Sequence, residues 1–241
     1  MKDLLLIRIR LSTYFWFFFL LFLGLSYVLP SYKFDSGALT LFSVNSFLYG
    51  FYISPILGAQ KGRIDSLHQI VRAEANALFS LMLDLKKLPR QMRNHIQTMI
   101  LMYLHAKLQQ RGVNSGEKQY EALITYCIDY RGEHTAEIEA LLNDLVANQK
   151  NRTDFNMQAG NKVFTNEWHI MAILFSITLG FIMTLSVVDT PILHIVRALL
   201  CTGLTMLIIN LVKLSTLTHK KAKQMWLPLQ KLVETNFYRI D

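Results

Sequence analysis

Four stretches of near membrane-spanning length, almost free of charge, constrain this chain more than anything else in it. Residues 11–32 and 36–60 carry no charged side chain, 168–188 carries only His169, and 198–212 carries nothing charged. A helix rises about 1.5 Å per residue, so crossing a hydrocarbon core takes about 20 apolar residues. The first three stretches meet that length, and the fourth meets it if its helix begins near Pro191. The expectation is an all-α polytopic membrane protein with four transmembrane helices in two hairpins. Its divisions are a hairpin at 1–58, a cytoplasmic helical domain at 59–166, a second hairpin at 167–213 and a basic tail at 214–241.

The net charge of +8 is unevenly placed. Lys2, Arg8 and Arg10 precede the first span, and Lys213, Lys220, Lys221, Lys223, Lys231 and Arg239 follow the last. Fourteen Lys and Arg lie in 59–166, against only Lys33 and Arg197 in the two short connections. Positive-inside bias then predicts a multi-pass protein of the cytoplasmic (inner) membrane with both termini and the central segment in the cytoplasm. Nucleic acid is not the expected partner, because the basic residues track the membrane topology. Cys127 and Cys201 imply no disulfide framework, no zinc spacing is present, and no cofactor or metal is expected. The first apolar run is too long and aromatic for a cleaved signal, so it reads as a retained span.

Span 1 is dense in aromatics and nearly devoid of polar groups, which suits a lipid-facing helix. Span 2 differs: it carries Thr40, Ser43, Asn45, Ser46, Tyr49, Tyr52 and Ser54. Polar side chains are costly against lipid and usually face protein or water. One face holds Ala38, Leu41, Asn45, Leu48, Tyr52 and Pro55, and another holds Phe42, Ser46, Tyr49 and Ile53. Which of them faces inward stays open. The pore-lining candidates are Thr40, Ser43, Asn45, Ser46, Phe47, Tyr49, Phe51 and Tyr52. Arg197 and His194 near the outer end of span 4, with Lys61 and Arg63 beyond span 2, are candidates for attracting anions. Snorkelling to the interface is the plainer reading of Arg197.

In the central segment Ile64, Leu67, Val71, Leu78, Leu81, Leu85 and Leu88 recur at helical spacing. Pro89 opens a new helix with Met92, Ile96, Ile100, Tyr103 and Leu104. Further helices are predicted over 117–130 and 135–148, and the polar stretch 149–162 reads as a loop.

The run Ser43-Val-Asn-Ser-Phe47, Arg63-Ile-Asp, Val71-Arg-Ala-Glu-Ala-Asn-Ala-Leu78, Leu88-Pro-Arg-Gln-Met-Arg93 and Leu101-Met-Tyr103 resembles the bacterial bestrophin-like membrane proteins, a family grouped with the bestrophin anion channels. In the family pattern a glutamate helix, a Leu-Pro-x-x-x-Arg turn and a tyrosine helix follow the second span. Here these are Glu74, Leu88-Pro89-Arg90 with Arg93, and Tyr103. Two departures stand out. The acidic-aromatic pair that usually closes the tyrosine helix is replaced by Arg111-Gly-Val-Asn, and the acidic calcium clasp of animal bestrophins has no counterpart. The resemblance implies a homo-oligomer, a pentamer in the bestrophins, with the second span lining a pore for inorganic anions such as chloride.

The leading expectation is therefore an oligomeric anion channel in which Phe47, Phe51 and Tyr52 narrow the path. A second class is a non-conducting sensor or scaffold, or a regulated membrane-depolarising effector, acting through the central helices. An enzyme is the weakest class. His68, Arg72 and Glu74 share one helical stretch and Glu167 adjoins His169, but neither spacing matches a catalytic or metal motif.

Overall fold

A computed structural model describes residues 10–185 and 190–234 of the protein. Among them every regular element is helical, and four helices are long and apolar enough to cross a membrane. The elements are α1 (Leu11–Val28), α2 (Ser36–Asp84), a 3-10 turn (Leu85–Lys87), α3 (Arg90–Gln110), α4 (Glu117–Asp129), α5 (Thr135–Gly160), α6 (Thr165–Thr184), α7 (Pro191–Ser215), α8 (Lys220–Gln224) and α9 (Leu227–Glu234). The apolar stretches fall in α1, the first half of α2, α6 and α7. As the length rule requires, α7 does begin at Pro191. The predicted end of span 3 at Val188 and the turn residue Asp189 lie outside the described residues.

The chain divides into two compact units. The membrane unit holds the chain up to Gly62 together with Lys162–His219, and the central unit holds Arg63–Asn161 with the segment from Lys220. The same helix, α2, contributes to both, because neither Pro55 nor the glycines at 58 and 62 stops it. Proline lacks the N–H that would bond four residues back, so the Phe51 carbonyl loses its usual helical donor. Asp35 starts α2: its carboxylate accepts the Ala38 N–H at 2.7 Å, satisfying a donor that a helix start leaves orphaned.

In the membrane unit α1 packs mainly along α7, and α7 also packs on α6. Two small cores result. One gathers Tyr49, Ile53, Val163, Met171 and Leu211; the other gathers Phe22, Met183, Ala198 and Cys201. In the central unit α4 lies between α3 and α5, and α9 returns onto α3.

Two sequence readings change. The stretch 149–162, read as a loop, is mostly helix, since α5 runs unbroken to Gly160. Its polarity belongs to an exposed face: Asn148, Arg152, Phe155 and Ala159 are buried at helical spacing and continue the inner stripe of Ile138, Leu141 and Leu145. The C-terminal segment is more than a basic tail. Ala222, Met225, Trp226 and Leu229 are buried, and Trp226 meets the Phe155 ring edge-on at 5.4 Å.

Candidate functional site

In the membrane unit α2 presents three kinds of surface. Tyr49 and Ile53 point into the first core, and Phe42 stacks on Phe181 of α6 at 4.4 Å. Asn45 is half-buried; its amide donates to Thr178 Oγ1 at 2.7 Å and to the Leu174 carbonyl at 3.2 Å. The Tyr49 hydroxyl lies 3.5 Å from the Leu204 carbonyl, and Tyr52 packs partly buried beside it. The Ser46 hydroxyl is buried with no hydrogen-bond partner among the described residues. Phe42, Asn45 and Tyr49 hold α2 to α6 and α7.

The opposite surface is open. Thr40, Ser43, Val44, Phe47, Phe51, Ser54, Gly58 and Lys61 are exposed and recur every three or four residues along one stripe. Phe47 and Phe51 are each 69% exposed and stack on one another at 6.0 Å. The Thr40 hydroxyl donates back to the Ser36 carbonyl at 2.9 Å, so its proton is committed to its own helix. The exposed faces of the other spans are built from Trp16, Phe17 and Leu20 on α1, Ile170, Ile173 and Ile177 on α6, and Ile192, Leu199 and Leu200 on α7. Ser176 on α6 is exposed too, with its hydroxyl folded onto the Ala172 carbonyl at 2.7 Å.

Of the four candidates for attracting anions, Lys61 is exposed and the other three are buried and bonded. The Arg63 guanidinium donates to the carbonyls of Gln158 at 2.7 Å and Ala159 at 2.8 Å, where α5 ends. A cation there satisfies orphaned carbonyls and complements the negative end of the helix dipole. Burial pulls its pKa down. Arg197 does the same at the end of α6: its guanidinium donates to the Leu185 carbonyl, and it is buried rather than snorkelled into solvent. His194 Nδ1 lies 3.1 Å from Ser26 Oγ, with its ring stacked on Tyr27 at 4.2 Å. Since Ser26 spends its own proton on the Leu23 carbonyl at 2.8 Å, the imidazole is the donor to it and carries its hydrogen on Nδ1.

The central unit holds a buried polar network that the hydrophobic pattern did not disclose. Glu74 of α2 is fully buried, receives the Tyr103 hydroxyl, and pairs with Lys107 Nζ at 2.5 and 2.6 Å. Lys107 Nζ also reaches the Tyr103 hydroxyl at 3.1 Å. Arg152 stacks over Tyr120 at 3.9 Å and pairs with Glu117 at 2.6 Å. Tyr120 donates to the Leu145 carbonyl at 2.8 Å and receives the Asn148 amide at 3.1 Å. Gly116 makes room for this: its φ is +74°, and a Cβ there would lie 2.8 Å from the Tyr103 ring. Burial raises the Tyr103 pKa well above the ordinary value, helped by Glu74, and pushes Tyr120 up to about 12. Glu74 and Tyr103, singled out by the family resemblance, do meet; Lys107, Arg152 and Asn148 were missed. The only sequence sign of Lys107 was its place on the inner stripe, four residues after Tyr103. Arg72 is exposed, so it does not join Glu74 in a site. The Glu167 carboxylate caps α6 by accepting the Phe164 N–H at 3.0 Å.

A family model described as a Bestrophin-like domain matches residues 37–219, from the start of α2 past the end of α7. No curated protein and no solved structure matches the chain. With most of its length inside that match, the chain belongs to the bestrophin-like family.

Proposed function

We propose that this bestrophin-like membrane protein is a homo-oligomeric ion channel, with the open stripe of α2 from each copy lining a shared pore that passes anions. The observation that carries this reading is the contrast between span surfaces. The exposed polar side chains of α1 and α6 gather near the helix ends (Ser12, Thr13 and Tyr27; Thr165, Asn166 and His169) with Ser176 further in, whereas α2 exposes Thr40, Ser43 and Ser54 in line with Phe47 and Phe51. Polar groups facing lipid are costly, so a face that mixes hydroxyls with aromatics suits protein and water.

Phe47 and Phe51, one turn apart, would form an apolar constriction that gates by dewetting, with Ser43 and Ser54 on either side. The Phe51 carbonyl, freed by Pro55, adds a dipole beside that constriction. Anion preference draws on the family's grouping with anion channels and on Lys61, which is exposed on the same stripe. Both termini and the central unit would lie in the cytoplasm, as the placement of basic residues favours.

A non-conducting sensor or scaffold, or a depolarising effector, is the competing reading. It is favoured by Asn45 and Tyr49, whose polar atoms are satisfied inside the protomer. The test is current through liposome-reconstituted protein in asymmetric chloride. A reversal potential that follows chloride, and a larger current from Phe47→Ala, are expected. A reversal potential that follows the cation would remove the anion assignment. Silence from both the parent and Phe47→Ala, as folded oligomers, would favour the scaffold.

A further inference from the structure

The Glu74–Lys107 pair is expensive. Glu74 is 0% and Lys107 2% exposed, and a fully buried ion pair recovers through attraction roughly what it loses in hydration. Here burial is the stronger influence on Lys107, lowering its pKa even though Glu74 touches it. A pair of aliphatic side chains would fill the same space without that cost.

What the pair adds is positional information. Otherwise α2 buries Leu67, Val71, Ala75, Leu78, Leu81 and Met82 in the central unit, and α3 buries Ile96, Ile100 and Leu104. Such aliphatic rows tolerate a slip of one helix along the other at small cost, because their side chains are similar in size. A carboxylate and an ammonium meeting at 2.5 Å do not: any slip or rotation leaves two unpaired charges in an apolar interior. Tyr103 narrows the choice further, because its hydroxyl bonds to the same carboxylate. A helix turns about 100° per residue, so a one-residue slip at Glu74 swings the neighbouring α2 side chains of the central unit by about that angle.

We propose that Glu74, Tyr103 and Lys107 form a rotational key between α2 and α3 in the central unit, retained for conformational uniqueness rather than for stability, which fixes the face that α2 turns toward α3. These three are positioning residues and make no contact with any permeating ion. The key operates whether or not the protein conducts, so its test needs no current.

The test places a nitroxide on Asn76→Cys (exposed) and, separately, on Leu78→Cys (buried) in a full-length Cys127→Ala/Cys201→Ala background. Spectra are compared between parent and Glu74→Leu/Lys107→Leu. In the parent the label at 76 is mobile and the label at 78 immobilised. The double variant is expected to melt within a few degrees of the parent or above it, while both labels give mixed spectra and the mobility contrast falls several-fold. Glu74→Gln alone, which leaves the Lys107 charge unpaired, is expected to lower the melting temperature clearly. A double variant that keeps the full contrast overturns the key. A double variant that fails to fold also overturns it, by showing that the pair serves stability. A Glu74→Gln protein that melts like the parent removes the premise that the buried charge needs its partner.

Discussion

The two units bury polar side chains in different ways. In the membrane unit they stand one at a time: Asn45 bonds to Thr178 and Leu174, His194 to Ser26 and Arg197 to the carbonyl of Leu185, while the Ser46 hydroxyl has no partner among the described residues. In the central unit they form a cluster, with Glu74, Tyr103 and Lys107 on one side and Arg152, Glu117, Tyr120 and Asn148 on the other, joined where Arg152 stands 5.4 Å over the Tyr103 ring. The units also differ in where apolar mass goes. Aromatic and aliphatic side chains coat the outside of the membrane unit, while in the central unit the largest are interior. Lipid rewards an apolar exterior, so membrane helices can associate through a few isolated bonds. The central unit keeps its apolar surface inside, and any charge trapped with it needs partners.

The largest expected break in this comparison is between two tryptophans. Trp226 is 3% exposed in the central unit, and Trp16 is 60% exposed on α1. Trp226→Ala is expected to cost about 3–5 kcal/mol, as an aromatic-to-alanine cavity does. Trp16→Ala should stay within about 0.5 kcal/mol, as surface changes do. Thermal melts of the reconstituted protein check both, and equal losses would mean that the units are not built differently.

A smaller contrast lies within α2. Asn45→Val removes two interhelical hydrogen bonds and is expected to cost about 1 kcal/mol. Phe47→Ala removes an exposed ring from the same helix and should leave the melting temperature nearly unchanged while altering conduction. If Asn45→Val changes current without changing the melt, its amide serves the pore and not the packing.

Smallest near neutral pH is an alkaline effect. Burial raises the folded-state pKa of Tyr103, that of Tyr120 to about 12 and that of Cys127 to about 11. Each therefore adds stability that is complete below its unfolded value and drains as pH rises toward its folded value. Lys107 acts in the opposite sense: its folded pKa is lowered, so between that value and 10.5 stability rises with pH. Three groups against one predict that the urea midpoint of the central unit falls above about pH 10, and less steeply in Tyr120→Phe. At pH 8 the raised Cys127 value predicts about 100-fold less thiolate than an unperturbed cysteine, readable as slow reaction with a thiol reagent.

Much of the fold was legible because it rests on local quantities. Uncharged length predicted the four spans, the Pro89 break separated α2 from α3, and Gly112 to Gly116 separated α3 from α4. The stretch 149–162 is too polar on average to show as a helix, yet Arg152 and Phe155 carry the inner stripe through it at helical spacing. The candidate site was half legible. The polar and aromatic content of span 2 was plain, and the face of Phe42, Ser46, Tyr49 and Ile53 does pack on its neighbours, but the open stripe through Ser43, Phe47 and Phe51 was neither of the two faces drawn from spacing.

By itself the sequence determined that this chain is helical, crosses a membrane, and has a second span unlike the others. Those properties follow from charge, hydropathy and residue spacing, which neighbouring residues share. Only the tertiary structure decided that Arg63 and Arg197 cap helix ends, that Lys107 answers Glu74 across 33 positions, and that Phe47 rather than Asn45 stands on the open face. Burial and partnership are relations between residues far apart in the chain, and a charge takes its meaning from the group that compensates it.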